Sequence, residues 1–162
     1  MHHPAHTFPE PGHDHARCAA DAIAHAEAVC RVRGERFTPL RRKVLEALLS
    51  SHRPLGAYDV IALLGRSRTR PAPITVYRAL DFLIARGLAH RIVSRNAFLA
   101  CAHNHDEQAT VAFLICERCD AVGEIAAATL AQPLIDGARD DGFAPKTTVV
   151  EITGTCAHCA GR

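Results

Sequence analysis

The stretch of residues 101–124, CAHNHDEQATVAFLICERCDAVGE, contains three cysteines, two histidines and several carboxylates within 24 residues. It includes a CxxC pair, Cys116 and Cys119, and a second CxxC pair, Cys156 and Cys159, follows in the segment TCAHC. Two such pairs supply the four thiolates that a tetrahedral structural zinc site requires. The sequence therefore predicts a four-cysteine zinc site that joins two distant parts of the chain.

The cysteine content also indicates the compartment. The chain has seven cysteines, an odd number, and four of them lie in CxxC pairs, while residues 1–30 show no secretory pattern. These features favour metal binding in a reducing compartment over disulfides. No apolar run approaches the roughly 20 residues that a membrane span needs. We therefore expect a cytoplasmic protein that does not associate with membranes.

The net charge of +2 hides a strong asymmetry along the chain. Residues 31–95 carry 14 Arg or Lys against four Asp or Glu, whereas residues 96–162 carry four against nine. A basic block of this size is typical of a nucleic-acid-binding surface, although dispersed arginines also occur on solvated faces. The charge pattern thus indicates a basic module followed by an acidic, metal-binding module.

Three segments are predicted from composition and periodicity. Residues 1–15 contain three prolines and five histidines and should form a disordered arm. Residues 16–101 should form a winged-helix DNA-binding domain, and residues 102–162 a smaller zinc-binding domain. The predicted fold class is α+β, with a winged helix-turn-helix domain followed by a small α+β domain that carries the four-cysteine site.

Apolar residues at helical spacing predict four helices in the first domain: residues 16–33, a helix that starts at Pro39 after the N-cap Thr38, residues 57–64 and residues 73–87. Two β-prone runs then follow, joined at Arg95 and Asn96 as a hairpin. The last three helices and the hairpin, in this order, make a winged helix-turn-helix.

The helix before the hairpin enters the major groove in such a fold. Thr75, Tyr77 and Arg78 lie near its start and do not point inward, so they are candidate base readers. Arg41 and Arg42, at the start of the second helix, are candidate phosphate contacts. The alternative is that both groups simply form polar, solvated helix faces.

The second domain shows three β-prone runs, residues 111–116, 121–125 and 147–153. A helical segment lies between residues 126 and 141, and Pro133 predicts that it starts late or bends there. Both CxxC pairs follow strands, so a zinc ion can fasten the end of the chain to the sheet.

The motifs TVYRALDFL, His90, Cys101, CERC, Glu124 and CAHC occur in an order that resembles the ferric uptake regulator superfamily, over about residues 20–160. Within it, the chain looks most like the zinc uptake regulator branch. The resemblance implies a homodimer in which residues 16–101 form the DNA-binding domain with a hinge and residues 102–162 form the zinc-binding dimerisation domain. Such a dimer binds palindromic double-stranded operator DNA and represses zinc-acquisition genes when zinc is replete.

The resemblance also implies roles for individual residues. The four CxxC cysteines match the family's structural zinc ligands, His90, Cys101 and Glu124 match ligands of its regulatory zinc, and Tyr58 joins Tyr77 and Arg78 as a DNA contact. Relatives have a histidine where this chain has Ala109. Either His103 or His105 should therefore supply the fourth regulatory ligand, with His105 preferred, or the site has three protein ligands plus water. Two Zn²⁺ ions per chain are expected. A thiolate ligand favours Zn²⁺ over Fe²⁺ or Mn²⁺.

Two other interpretations stay open. An iron- or peroxide-responsive regulator of the same superfamily is the nearer alternative, and a zinc-ribbon redox or hydrolytic enzyme is the more distant one. A closed four-cysteine site has no open coordination position, and no paired acid and base occur in a pocket-forming motif. We therefore expect no enzymatic activity and no small-molecule substrate.

Overall fold

A computed structural model describes Phe8 and residues 15–66, 70–101 and 110–161. The chain divides into two compact units, Glu10–Glu107 and Gln108–Arg162. Most of the predicted N-terminal arm, both candidate loop histidines (His103 and His105) and Ala109 lie outside the described residues.

The described residues of the N-terminal unit form four helices followed by a two-stranded hairpin, which confirms the predicted winged helix-turn-helix. The helices are α1 His15–Val32, α2 Pro39–Leu49, α3 Ala57–Leu64 and α4 Pro73–Ala85, and the strands are β1 Ala89–Ile92 and β2 Ala97–Ala100. The strands pair antiparallel, and a 3-10 turn, Val93–Arg95, joins them through Asn96 in the left-handed region, with a φ of 46°.

The start of α2 follows the sequence signals closely. Thr38 is extended, and its hydroxyl oxygen accepts a hydrogen bond from the Arg41 backbone N–H at 3.4 Å. This bond satisfies one of the donors that a helix start leaves unpaired, and Pro39 needs no such partner. The buried face of α2 then packs in the core with residues from the other helices and the hairpin: Val44, Leu45, Ala47, Leu48, Val60, Ile61, Val76, Leu80, Leu83, Leu88 and Phe98.

The end of α4 determines where the hairpin begins. Gly87 has a φ of +65° and donates its N–H to the Ile84 carbonyl at 3.0 Å, and Leu88 donates to the Leu83 carbonyl at 2.9 Å. This pair of bonds is the Schellman motif, which needs a left-handed residue at the position of Gly87. The chain therefore leaves α4 in a fixed direction and enters β1 two residues later.

The hairpin of β1 and β2 is also hydrogen-bonded to the turn before α3. Leu55 and Phe98 exchange two backbone hydrogen bonds of 2.8 Å each and form an isolated antiparallel bridge. Phe98 is 6% exposed and belongs to the same core as the helices. The hairpin is thus part of the packed unit rather than an appendage.

The C-terminal unit contains a three-stranded sheet with the order β4-β3-β5. Its strands are β3 Val111–Cys116, β4 Val122–Ala126 and β5 Val150–Gly154, and its helices are α5 Ala128–Asp140 and α6 Ala157–Ala160. The strand β3 pairs antiparallel with β4 and parallel with β5. Within the described residues, no helix has both the length and the apolar character to cross a membrane.

The C-terminal unit differs from the sequence prediction in three details. The sequence predicted a helix that either starts late or bends at Pro133. Because α5 begins at Ala128 and continues through Pro133, the late start was wrong. Pro133 cannot donate to the Thr129 carbonyl, but both residues are exposed, so water can bind that carbonyl instead. The strand β5 begins at Val150 rather than at Thr147, and the short helix α6 between Cys156 and Gly161 was not predicted.

Replacing Gly87 by alanine should lower the free energy of unfolding by about 1 kcal/mol, because a Cβ is unfavourable in the left-handed region. Urea denaturation would measure this loss. Gly137→Ala is the control, since an added Cβ there has no atom within 4 Å and the residue lies inside α5. That change should be neutral or slightly stabilising, and equal destabilisation by both variants would contradict the role of Gly87.

Candidate metal centre and nucleic-acid interface

The parallel pairing of β3 with β5 brings the two CxxC pairs together. Cys116 pairs with Gly154 at the carboxyl ends of the two strands, so both cysteine pairs follow at the same edge of the sheet. The four sulfur atoms all lie within 4.8 Å of one another. The Sγ atoms of Cys119 and Cys156 are 3.8 Å apart. A tetrahedral ion with metal–sulfur bonds of about 2.3 Å separates its sulfurs by about 3.8 Å, so this arrangement fits zinc.

Hydrogen bonds and burial shift the pKa values of these thiols in opposite directions. The backbone N–H of Cys156 donates to the sulfur of Cys116 at 3.3 Å, and this bond is the main cause that lowers the pKa of the Cys116 thiol to about 6. Hydrogen bonding with the Cys156 thiol, together with burial, raises the pKa of Cys159 to about 12. The protein alone therefore does not favour four thiolates at neutral pH, and a divalent cation would supply the missing stabilisation.

Two further candidate ligands meet on the hairpin of the N-terminal unit. His90 lies on β1 opposite Leu99, and Cys101 follows β2 and donates its backbone N–H to the Leu88 carbonyl at 3.1 Å. This register puts His90 and Cys101 on a diagonal of the same sheet face. Their ligand atoms lie within 4.8 Å of each other, and both residues are half-buried.

Glu124 lies in the C-terminal unit, on β4 opposite Phe113. It is only 5% exposed, which is unusual for a glutamate. A buried carboxylate is stable only when hydrogen-bond donors or a cation compensate its charge. The burial of Glu124 thus distinguishes it from the exposed carboxylates of α5.

The candidate DNA-reading face of the N-terminal unit carries two exposed tyrosines. Tyr58, at the start of α3, is 71% exposed, and Tyr77, on α4, is 39% exposed. Both line a cleft of about 530 Å³ whose walls also include Asp81, Arg91 and Asn96. Aromatic side chains from two helices therefore converge beside the hairpin.

The other two candidate readers differ from each other. Arg78 is exposed on α4. Thr75 is half-buried, and its hydroxyl donates to the Ala72 carbonyl at 2.6 Å within the first turn of the helix. Arg78 thus presents its guanidinium to solvent, whereas the donor of Thr75 serves the helix itself.

Arg41 and Arg42 make contacts inside the unit that the sequence did not reveal. The guanidinium of Arg41 lies 3.4 Å from the centre of the Phe82 ring and donates to the Arg36 carbonyl. Arg42 forms an ion pair with Glu27 on α1. Any phosphate contact by these two arginines would compete with these internal partners.

A second ion pair connects the end of α4 to the segment after α1. Arg86 donates through Nε to a carboxylate oxygen of Glu35 at 2.6 Å and through Nη2 to the other oxygen. Its guanidinium also lies 5.4 Å from the centre of the Phe82 ring, which therefore lies near two guanidinium groups. The only sequence signal for this pair is the opposite charge of two residues 51 positions apart.

The chain matches a known protein family over most of its length. The model of the ferric uptake regulator family matches residues 32–153, which include α2 to α5, the first CxxC pair and all but the last residue of β5. The chain belongs to the ferric uptake regulator family.

Two kinds of relative within this family support the assignment. The zinc uptake regulation protein of Escherichia coli strain K12 is 38% identical over 140 residues, which cover 86% of this chain and 81% of that protein. A solved structure described as a zinc uptake regulator complexed with zinc and DNA is 36% identical and has a TM-score of 0.83. The match covers 88% of this chain and 95% of that one. The holo form of XcZur is 38% identical, with a TM-score of 0.79, and the match covers 88% of this chain and 99% of that one.

The Glu35–Arg86 pair makes a pH-dependent contribution to the stability of the unit. Hydrogen bonds from Arg86 are the main cause that lowers the pKa of Glu35 below its ordinary value of 4.5. A lowered carboxyl pKa stabilises the folded state above the ordinary value, and this stabilisation disappears as the pH falls through the folded value. Glu35→Gln should therefore lower the melting temperature at pH 7, and the difference from wild type should shrink below pH 4.5.

Thermal denaturation followed by circular dichroism across this pH range would measure the effect. Glu46→Gln, which changes an exposed glutamate on α2, is the matched control and should leave the melting temperature almost unchanged. A difference between Glu35→Gln and wild type that stays constant down to pH 3 would show that the ion pair is not its source.

Proposed function

We propose that this protein is a zinc-responsive, dimeric, DNA-binding transcriptional repressor of zinc uptake genes. The observation that carries the proposal is the likeness, over most of the chain, to a zinc uptake regulator solved with zinc and DNA. Residues 16–101 bind operator DNA, and residues 102–162 bind structural zinc and mediate dimerisation.

The four-cysteine cluster holds the first zinc ion of each chain. Two of its cysteines are buried and two are half-buried, and their sulfurs already lie at distances that suit one tetrahedral ion. Zinc bound there stabilises the folded C-terminal unit, because the unfolded chain lacks a preformed site. Four thiolates fill the coordination shell, so this zinc has a structural role and no catalytic one.

The C-terminal unit supports the assignment of a homodimer. Five large apolar side chains of α5, of β5 and of the segment between them are each 47–68% exposed: Leu130, Leu134, Phe143, Val149 and Ile152. The strand β5 is also an edge strand of its sheet. Exposed apolar surface of this kind in a small unit indicates a protein interface, and a second copy of the chain is the partner that the function requires.

A second zinc ion per chain provides the regulatory signal. His90, Cys101 and Glu124 are its proposed ligands, with His105 or His103 as the fourth. A ligand set that combines thiolate, imidazole and carboxylate suits Zn²⁺ better than Fe²⁺ or Mn²⁺ because of the thiolate. Zinc selects the conformation that binds DNA, and the coupling is reciprocal, so operator DNA raises the affinity for this zinc by the same factor.

The nucleic-acid contacts are assigned to α3 and α4. Arg78, Tyr77 and Thr75 read bases in the major groove, with Tyr58 beside them, and Arg41 and Arg42 contact phosphates. Binding to a palindrome follows from the two-fold symmetry of a dimer. The protein acts in the cytoplasm, where the thiols stay reduced, and it performs no catalysis on a small-molecule substrate.

Zinc stoichiometry and DNA binding together test the regulatory assignment. After mild chelation, the wild-type chain should keep one zinc, and a second zinc should restore binding to a palindromic operator duplex chosen by binding selection. Cys101→Ser should keep the first zinc, lose the second and fail to respond. Cys18→Ser, which changes an exposed cysteine on α1, is the matched control and should behave as wild type.

Inductively coupled plasma spectrometry and fluorescence anisotropy would read out zinc content and DNA binding. DNA binding that is indifferent to the second zinc would contradict zinc sensing. Restoration by Fe²⁺ or Mn²⁺ alone would favour the iron- or peroxide-responsive alternative.

Arg78→Ala should cost about 1 to 3 kcal/mol of binding energy against the preferred base and should relax specificity at that position. Neutralising Arg41 or Arg42 should instead weaken binding to all sequences alike and flatten the salt dependence. Anisotropy titrations on operator and random duplexes at several salt concentrations separate the two effects. Arg31→Ala, at an exposed position on α1, is the control. Equal losses on both duplexes for Arg78→Ala would exclude Arg78 as a base reader.

A further inference from the structure

The second CxxC pair lies in a segment with little structure of its own to hold it. This segment follows β5 and contains the four-residue helix α6, which begins directly after Cys156. A helix of one turn is unstable in isolation. Cys156 and Cys159 therefore depend on contacts with the rest of the C-terminal unit for their positions.

The N-terminal side of this pair is held by backbone bonds. Glu117 donates its N–H to the Gly154 carbonyl at 2.8 Å, and Cys156 donates its N–H to the sulfur of Cys116 at 3.3 Å. Both bonds lie at or before Cys156. They fix the first cysteine of the pair. Within the helical turn, Cys159 donates its N–H to the Cys156 carbonyl at 2.9 Å, but this bond does not connect Cys159 to the first cysteine pair.

Arg118 reaches the C-terminal side of the pair. It lies inside the first CxxC pair, between Cys116 and Cys119, and its guanidinium Nη1 donates to the backbone carbonyl of Cys159, 41 residues away. A carbonyl in the last turn of a helix has no partner within the helix, and a cationic donor is a favourable partner for it. Arg118 thus joins the first cysteine pair to the last ligand of the second pair.

The charge of Arg118 also suits the cluster. Four thiolates around one divalent cation leave a net negative charge, and a guanidinium bonded to the backbone of a ligand residue offsets part of it. A charge-assisted hydrogen bond is stronger than a neutral one, so the contact orients the backbone at Cys159.

We propose that Arg118 is a positioning residue for the structural metal site: through its hydrogen bond to the Cys159 carbonyl, it holds Cys159 in the coordination shell and sets the rate at which zinc leaves. The inference rests on the proposed structural zinc. Its consequence is that this zinc exchanges slowly, so it does not follow the zinc concentration that the regulatory site senses.

Arg118→Ala should release zinc to excess EDTA about tenfold faster than wild type, because a charge-assisted bond that holds one of the four ligands is lost. Arg118→Lys, which keeps the charge but not the planar donor geometry, should give an intermediate rate. Arg139→Ala is the matched control, since Arg139 is an exposed arginine of the same unit, paired with Asp136 on α5, and its loss should leave the rate unchanged.

Timed alkylation with iodoacetamide, followed by mass spectrometry, identifies which cysteine leaves the metal first. In Arg118→Ala, Cys159 should be modified ahead of Cys116, Cys119 and Cys156, and circular dichroism of the zinc-loaded variant should match wild type. A general loss of folding would instead expose all four cysteines together, so this order separates positioning from destabilisation.

Zinc release from Arg118→Ala at the wild-type rate, or first alkylation at a cysteine other than Cys159, would overturn this inference and leave the proposed function intact. A wild-type chain that holds no zinc at the four cysteines would overturn both.

Discussion

The parallel pairing of β3 with β5 is the constraint on which the C-terminal unit depends. Parallel strands cannot be joined by a short turn, and the connection here contains β4 and α5. Both strands end at the same edge, so the residues that follow them meet there. This topology is the reason that two cysteine pairs 37 residues apart form one four-sulfur cluster. A metal at this edge would in turn hold the strand pairing together.

The C-terminal unit is small and buries few side chains from its helix. Ala131 is the buried residue of α5, while two leucines of the same helix are more than 60% exposed. Such a unit needs stabilisation beyond its own core, and a structural metal and a partner subunit are two sources that small domains commonly use. Metal binding and dimerisation are therefore connected physically, because both compensate for the same limited core.

The N-terminal unit is stabilised differently, by helix packing and by local hydrogen bonds at the helix ends. The side chains of α2 and α4 fill a core that also includes the wing residue Phe98, and the Schellman motif at Gly87 connects α4 to β1. The hairpin that carries His90 is thus continuous with the helix that exposes Tyr77 and Arg78. A candidate metal ligand and the candidate base readers therefore lie on directly successive elements of one packed unit.

The sequence by itself determined the fold class, the four helices and hairpin of the first unit, and the pairing of the CxxC motifs. These features depend on local signals, such as the N-cap at Thr38, helical periodicity, the glycine at position 87 and the short spacing within each cysteine pair, and local signals are readable along the chain.

Only the tertiary structure decided which side chains have internal partners. Arg41 packs against Phe82, Arg42 pairs with Glu27, and Arg118 reaches Cys159 across 41 residues. Such contacts join residues far apart in sequence, and nothing in their local patterns encodes the partner. The physical reason is that an arginine's long side chain takes its role from whichever ring, carboxylate or carbonyl the fold brings within reach.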